Sequence, residues 1–244
     1  MSRSFLTAEW KNLVMLNYEV DPAKLLPLVP SGVELDLWQG RALVSLVGFI
    51  FADTRLLRVP IPLHRTFEEV NLRFYVKRTV DGGVRRAVTF IKEIVPKRAV
   101  AVIARAGYNE PYESMPMRHR YGASMESSLP KSLDYQWQLN GAWCGMAATI
   151  DGEGRIPPLN AEETFVTEHY WGYTRQRDGS TVEYRVEHPR WRVWKAATSS
   201  VSGDLSRLYG EYFAGVVAQT PRSAFVADGS VVSVGFPAKL RSAP

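Results

Sequence analysis

Two of the four histidines in this 244-residue chain, His169 and His188, flank an Asp178-Gly179 dipeptide symmetrically. Imidazole is the side chain whose charge changes nearest neutral pH, so a pair of them is a natural place to look for chemistry. Asp-Gly is a preferred centre for a two-residue hairpin turn, because that turn needs positive φ angles that these residues tolerate. Counting outward pairs Arg177 with Ser180, Arg175 with Val182, Tyr173 with Tyr184, Trp171 with Val186 and His169 with His188. Partners of this kind sit about 5.5 Å apart at Cα, close enough for both rings to share a ligand, a water or a carboxylate. Inward-facing His and Tyr are also what a hydrogen-bonded sheet core contains, and that structural reading stands beside the functional one. No third donor follows at metal-ligand spacing, so no metal is expected.

A second hairpin, centred on Asp81-Gly82, carries carboxylate and guanidinium groups. Counting from its turn sets Leu72, Phe74 and Val76 against Ile91, Thr89 and Ala87 on one face. The other face sets Glu69, Asn71, Arg73 and Tyr75 against Ile94, Lys92, Phe90 and Val88. That mixed face either looks at solvent or lines the polar interior of a strongly curved sheet. In an interior, Arg73 and Lys92 favour an anionic ligand, since a guanidinium grips a carboxylate through two parallel hydrogen bonds. Glu69 is then an acid or base, or a counter-charge holding the cations in place.

The elements that must position these groups are mostly strands. Turn dipeptides recur at Gln39-Gly40, Asp81-Gly82, Asn140-Gly141, Asp151-Gly152, Asp178-Gly179 and Asp228-Gly229, between runs rich in β-branched and aromatic residues. This punctuation predicts an α+β fold that is mostly antiparallel β. Three helices are expected: one capped by Asp21-Pro22 and ending near Pro30, one after Pro96 closing at Gly107, and one after Asp204. In the last, Leu205, Leu208, Tyr212 and Val216 share a face, and the region after Ser199 reads as packing over one side of the sheet.

Bulk properties narrow the class of function. A composition 45% hydrophobic and 23% charged is that of a folded globular protein, and no linker or repeat divides residues 1–244, which read as one domain. The net charge of +5 is spread among interleaved acids and bases, which argues against a nucleic-acid partner. Cys144 is the sole cysteine, no secretory pattern opens the chain, and no apolar run is long enough to cross a bilayer. A cytoplasmic protein with neither membrane nor cofactor is the expectation, with homo-oligomers possible through exposed strands.

Several segments carry a resemblance: Trp10-Lys11-Asn12-Leu13, Leu26-Pro27-Leu28-Val29-Pro30-Ser31-Gly32, residues 67–76, residues 105–113, Glu168-His169-Tyr170-Trp171-Gly172-Tyr173 and His188-Pro189-Arg190-Trp191. Together they resemble the YqjF-like family of uncharacterised bacterial proteins over nearly the whole chain. Up to about Met115 the chain is also faintly similar to acetoacetate decarboxylase. The resemblance implies a highly curved antiparallel sheet approaching a closed barrel, with an internal cavity. Acetoacetate decarboxylase forms a Schiff base through a lysine whose amine is made less basic by burial and a second lysine. In that enzyme an arginine, five further residues and Pro-Lys-Lys carry the chemistry, whereas here Arg105 leads to Pro111-Tyr112-Glu113. A phenol cannot form an imine, and Pro96-Lys97-Arg98 precedes the helix instead of following it.

The resemblance therefore implies a small-molecule cavity, most simply for an anionic keto acid or carboxylate, without Schiff-base chemistry. In an enzyme of this kind Tyr112 would donate a proton or polarise a carbonyl, and Glu110 and Glu69 are candidate bases. Arg73 would clamp the carboxylate, with Asn71, Arg105, His169, Trp171, Tyr173 and His188 as further ligand-binding candidates. A binding or sensing module without turnover is the alternative. A third reading has the chain act through protein contacts alone.

Overall fold

The computed structural model describes residues 4–60, 65–122 and 129–240. The chain opens with β1 (Ser4–Val20), a short helix α1 (Pro22–Leu25) and a 3₁₀ turn, then β2 (Glu34–Leu35), β3 (Ala42–Leu56) and β4 (Val59–Pro60). The hairpin β5 (Phe67–Val80) and β6 (Gly83–Val95) leads into α2 (Arg98–Tyr108), followed by β7 (Tyr112–Ser114), β8 (Met117–Tyr121), β9 (Ser132–Leu139) and β10 (Ala142–Ile150). After α3 (Glu162–Thr167) come β11 (Trp171–Arg175), β12 (Thr181–Glu187), β13 (Val193–Ser202), α4 (Ser206–Val217), β14 (Ser223–Gly235) and β15 (Ala238–Lys239). The expected antiparallel β architecture with few helices is what forms. Most ladders are antiparallel; β11 and β7 each join β6 in parallel.

The strands build one continuous sheet in the order β15-β12-β11-β6-β5-β3-β1-β14-β13-β10-β9-β8. β12 also pairs with β14, Val186 opposite Val234 and Glu187 opposite Ser233, which turns the stretch from β12 to β14 into a ring. β13 runs from β14 to β10, carrying the sheet outward into a second layer. That layer and α4 cover the ring's outer face, where Val70, Leu72, Phe74 and Val76 of β5 meet Tyr135, Trp137, Met146, Leu208 and Phe213. The alternate residues of β5 point into the ring, among them Phe67 and Tyr75. Both faces of β5 are buried, so its apolar alternation belongs to the outside of the ring and its polar residues belong to the inside.

Five local expectations are corrected. The Asp178-Gly179 loop holds three residues instead of two: Gly179 donates to the Gln176 carbonyl at 3.0 Å, Gly179 alone takes positive φ (82°), and Gln176 pairs with Ser180. The register moves by one, Trp171 facing Arg185, Gly172 facing Tyr184 and Tyr173 facing Glu183, and a one-residue shift exchanges the two faces. His169 and His188 lie outside the paired strands and are not cross-strand partners. On the Asp81-Gly82 hairpin the expected register holds from Val80–Gly83 to Arg73–Phe90, then a bulge sets Leu72 opposite Lys92 and Asn71 opposite Glu93.

The other three concern two helices and a turn. Asn109, at φ 56°, caps α2 in the left-handed conformation one residue past Tyr108, in place of Gly107. In α4 a non-helical Gly210 rotates the buried face onto Leu208, Tyr209, Phe213 and Val217, leaving Tyr212 at the rim, where it accepts from the Asp21 N–H. Asp228-Gly229 makes no turn but lies within β14, with Gly229 opposite Lys11 and at φ 84°. A Cβ on Gly229 would stand 2.0 Å from the Trp10 carbonyl oxygen. Gly229→Ala is therefore expected to destabilise the fold by about 2 kcal/mol or more, from positive φ and a backbone collision together. Urea denaturation checks this, and a loss under about 0.5 kcal/mol would contradict the close approach.

Candidate functional site

The ring encloses a cavity of about 160 Å³. Aromatic and aliphatic side chains make most of its wall, including Trp10, Phe49, Phe51, Phe67, Phe90 and Trp191. Set into that wall are Glu69, Asn71, Arg73, Glu93, Glu110, Tyr112, His169, Tyr184 and His188. Strand alternation brings Glu69, Asn71 and Arg73 inward from β5, where they are 2%, 2% and 9% exposed. The bulge on β6 adds Glu93 and sends Lys92 away, so that its amine pairs with Glu113 at 3.3 Å. Beyond α2 the left-handed Asn109 turns the chain, and its amide donates to the Arg175 carbonyl at 2.8 Å. Glu110 follows, and then Tyr112 opens β7 alongside Glu93 of β6.

At one end of the cavity three carboxyls share two phenols. The Tyr112 hydroxyl donates to Glu69 Oε2 at 2.9 Å, and the Asn71 amide donates to Glu69 Oε1 at 3.0 Å. Glu110 Oε1 accepts from the Tyr184 hydroxyl at 2.7 Å and from the Thr174 hydroxyl. Tyr184 reaches it because its cross-strand partner is Gly172; a Cβ there would fall 2.1 Å from the phenol ring. At the other end Arg73 donates to the Val166 carbonyl at 3.2 Å and makes no carboxylate pair among the described residues. His169 Nε2 lies 3.2 Å from Asp36 Oδ2, which also pairs with Arg86. His188 stacks on Trp191 with centroids 4.1 Å apart.

Of the residues singled out from sequence, Tyr112, Glu110, Glu69, Arg73, Asn71, His169 and His188 meet in this cavity. Arg105, Trp171 and Tyr173 lie outside its wall. Arg105 is exposed, donating to the Tyr112 carbonyl at 2.6 Å. Trp171 stacks beneath the Arg85 guanidinium at 4.2 Å, and Tyr173 packs in the outer core with its hydroxyl on Glu183. The register shift explains both aromatics, since it turns Tyr184 and Val186 inward in their stead. Glu93 and Asp36 escaped the sequence reading: strict alternation puts Lys92 where the bulge places Glu93, and nothing local marks Asp36 as the partner of a histidine 133 residues away. Among the described residues lining the cavity there is no lysine, and Lys97 sits at the N-cap of α2.

Burial dominates the electrostatics. It pushes Glu69 up to about 7 against the opposing pull of Asn71, Tyr112 and the Arg73 charge, and Glu110 up to about 7 against Thr174 and Tyr184. Glu93 is raised well above the usual carboxylate range, by burial first and then by Glu110 and Glu69. Burial also raises the Tyr112 phenol well above its ordinary value and lowers both His169 and His188. Carboxyls that titrate near neutrality are suited to move protons in either direction. Several buried polar atoms have no partner: Trp10 Nε1, Asn71 Oδ1, Arg73 Nε, Glu93 Oε2, Glu110 Oε2 and His169 Nδ1. Buried polar groups are normally hydrogen-bonded, and these six share one hollow, while Tyr18, Trp137, Arg190 and Tyr209 hold further unpartnered buried atoms outside it.

The raised carboxyls also set a pH dependence. Their folded values exceed the ordinary 4.5, so the neutral forms stabilise the fold fully below that pH, and the contribution is lost as pH rises through about 7. The lowered histidines act in the opposite sense but only below 6.5, so the window above that isolates the carboxyls. The melting temperature of the ligand-free protein is expected to fall between about pH 6.5 and 8.5, and to fall less in the Glu69→Gln, Glu110→Gln double variant. Equal slopes in scanning calorimetry would show that these carboxyls do not carry the effect.

Comparisons with known proteins agree with this architecture. Residues 7–231 match the DUF2071 family, described as an uncharacterized conserved protein. The uncharacterized protein YqjF of Bacillus subtilis (strain 168) is 28% identical over 203 residues, covering 82% of this chain and 80% of that relative. Among solved structures, acetoacetate decarboxylase from Legionella pneumophila superposes with a TM-score of 0.68 at 11% identity, over 96% of this chain and 87% of its own. The enduracididine biosynthesis enzyme MppR complexed with pyruvate gives 0.68 at 14% identity, over 97% and 90%. An acetoacetate decarboxylase-like enzyme from Sphingomonas wittichii RW1 gives 0.63 at 12%, over 100% and 95%. At such identities the structural likeness establishes the fold, and the sequence match establishes the kinship: the chain belongs to the DUF2071 family and has the acetoacetate decarboxylase-like fold.

Proposed function

We propose that this protein binds a small organic carboxylate of the keto-acid kind in the ring cavity and acts on it by acid-base chemistry without an imine. The observation that carries this reading is the buried Arg73 guanidinium, on the cavity wall with its Nε unpartnered and no carboxylate paired to it among the described residues. A buried cation without a directly paired carboxylate is costly, and an anionic ligand supplies that contact. At about 160 Å³ the hollow is smaller than the several hundred Å³ of a drug-sized pocket, which suits a metabolite of a few carbons. The neighbouring fold of MppR holds pyruvate, which agrees in ligand class.

In this reading the Tyr112 hydroxyl leaves Glu69 to donate to the substrate carbonyl, and Glu69, released from that bond, takes a proton from the adjacent carbon. The negative charge that develops on the carbonyl oxygen is stabilised by the phenol. Return of the proton from Glu69 to a different carbon or to the same one completes an isomerisation or an exchange, with atoms and charge balanced. Glu110, paired to Tyr184, is the second candidate base. The Glu69–Tyr112 pair, with no lysine among the described residues lining the cavity, supports acid-base work over covalent work. The same lack of a nucleophilic amine on the described wall supports a second reading, a binding module without turnover.

Arg73→Gln is expected to weaken binding of pyruvate and longer 2-keto acids by about 10- to 100-fold, the loss of charge-assisted hydrogen bonds. Titration calorimetry measures it, with the ligand-free melting temperature as the check on folding; unchanged affinity in a folded variant sinks the carboxylate reading. Incubation with a β-keto acid and borohydride is expected to leave the protein mass unchanged, and a reduced adduct mapped to Lys97 or any other lysine would restore Schiff-base chemistry. Deuterium exchange at the carbon beside the keto group separates the two readings: exchange lost in Glu69→Gln marks an enzyme, and binding without exchange marks a sensor.

A further inference from the structure

The carboxylate reading accounts for Arg73 but leaves the opposite end of the cavity short of donors. Glu93 is 2% exposed and Glu110 5%, and each keeps one oxygen, Oε2, without any hydrogen-bond partner. Asn71, 2% exposed, keeps its Oδ1 acceptor equally free. All three belong to the same wall as Arg73. A plain monocarboxylate would satisfy the guanidinium and leave these acceptors bare, and a dicarboxylate would set a second anion among three carboxyl groups. The three carboxyls are not placed as a metal site, since among the described residues no group of three or more His, Cys, Asp and Glu could hold an ion.

We infer that the ligand is two-ended, carrying a carboxylate for Arg73 and, a few bonds away, a cationic nitrogen such as an ammonium or guanidinium group that donates to Glu93, Glu110 and Asn71. This deepens the carboxylate reading and rests on it. The spacing follows from the register: Glu93 stands opposite Asn71, two residues along β5 from Arg73, a strand separation of roughly 7 Å. Apolar walls between the two poles, such as Phe90 and Val88, suit a short methylene chain. The groups facing the nitrogen pole are Glu69 from β5, Glu93 from β6, Tyr108 from α2, Glu110 and Tyr112 from the segment after it, and Tyr184 from β12. Arg73 is the cation whose charge reaches this group, at Glu69. Binding of a cation there favours the ionised form of carboxyls that burial otherwise keeps protonated, so protons leave the protein on association.

Titration calorimetry near pH 7.5 with three matched probes, 4-aminobutyrate, butyrate and butylamine, tests the assignment. The two-ended probe is expected to bind at least about tenfold more tightly than either one-ended probe, because charge-assisted hydrogen bonds form at both poles. Its binding enthalpy is expected to change with the ionisation enthalpy of the buffer, reporting proton release. In Glu93→Gln and Glu110→Gln the affinities of 4-aminobutyrate and butyrate are expected to converge. Butyrate binding that depends on Arg73 and is matched by 4-aminobutyrate overturns the two-ended ligand while leaving the carboxylate reading intact. A preference that survives both glutamine variants also overturns it. Failure of all three probes to bind counts against both readings, and the comparison in the unmodified protein does not depend on any variant folding.

Discussion

Polar side chains in the interior of the sheet ring are the constraint around which this molecule is arranged. β5 gives its apolar alternates to the outer core and its polar alternates to the hollow, so Glu69, Asn71 and Arg73 are buried away from bulk water on the cavity wall. Burying such groups without partners costs several kcal/mol each by order of magnitude. Much of the surrounding structure answers that cost. Asn71 and Tyr112 serve Glu69, Thr174 and Tyr184 serve Glu110, and Asp36 serves His169. Of the buried atoms left unserved, those of Trp10, Asn71, Arg73, Glu93, Glu110 and His169 are on the cavity wall, while those of Tyr18, Trp137 and Tyr209 lie in the outer core.

Small departures from regular geometry place the decisive groups. The bulge on β6 exchanges an inward Lys92 for an inward Glu93 and changes the charge of that end of the cavity. The left-handed Asn109 ends α2 and directs Glu110 and Tyr112 back toward β6. Gly172 gives up its side chain so that the Tyr184 phenol can cross to Glu110. None of these features adds to the core, and each fixes the direction of a polar group.

The relation to the decarboxylase fold separates architecture from chemistry. The sheet superposes over nearly the whole chain at 11% identity, yet the position that a decarboxylase-like reading assigns to an amine holds Tyr112, hydrogen-bonded to a buried carboxyl. One fold can host different chemistry because function resides in the groups set into its cavity. Set into this cavity are carboxyls lifted toward neutrality, a phenol beside one of them and a guanidinium on the same wall.

Local physics in the sequence determined a good deal. Asp81-Gly82 set the register of β5 and β6 as far as Phe90, alternation put Glu69, Asn71 and Arg73 on one face, and Asp21-Pro22 capped α1 with the Asp21 carboxylate on the Ala23 N–H. The resemblance along the chain pointed to the fold and to Tyr112. Whether the polar face of β5 met solvent or an interior was not decidable locally, because that depends on β12 closing onto β14. The faces of Trp171, Tyr173 and Tyr184 hinged on a three-residue loop where Asp-Gly permits two, and Glu93 hinged on a bulge that has no periodic signature. Turn propensity and alternation act over a few residues, whereas the pairing of His169 with Asp36 and the enclosure of the cavity are contacts between distant segments, and only the folded sheet brings those segments together.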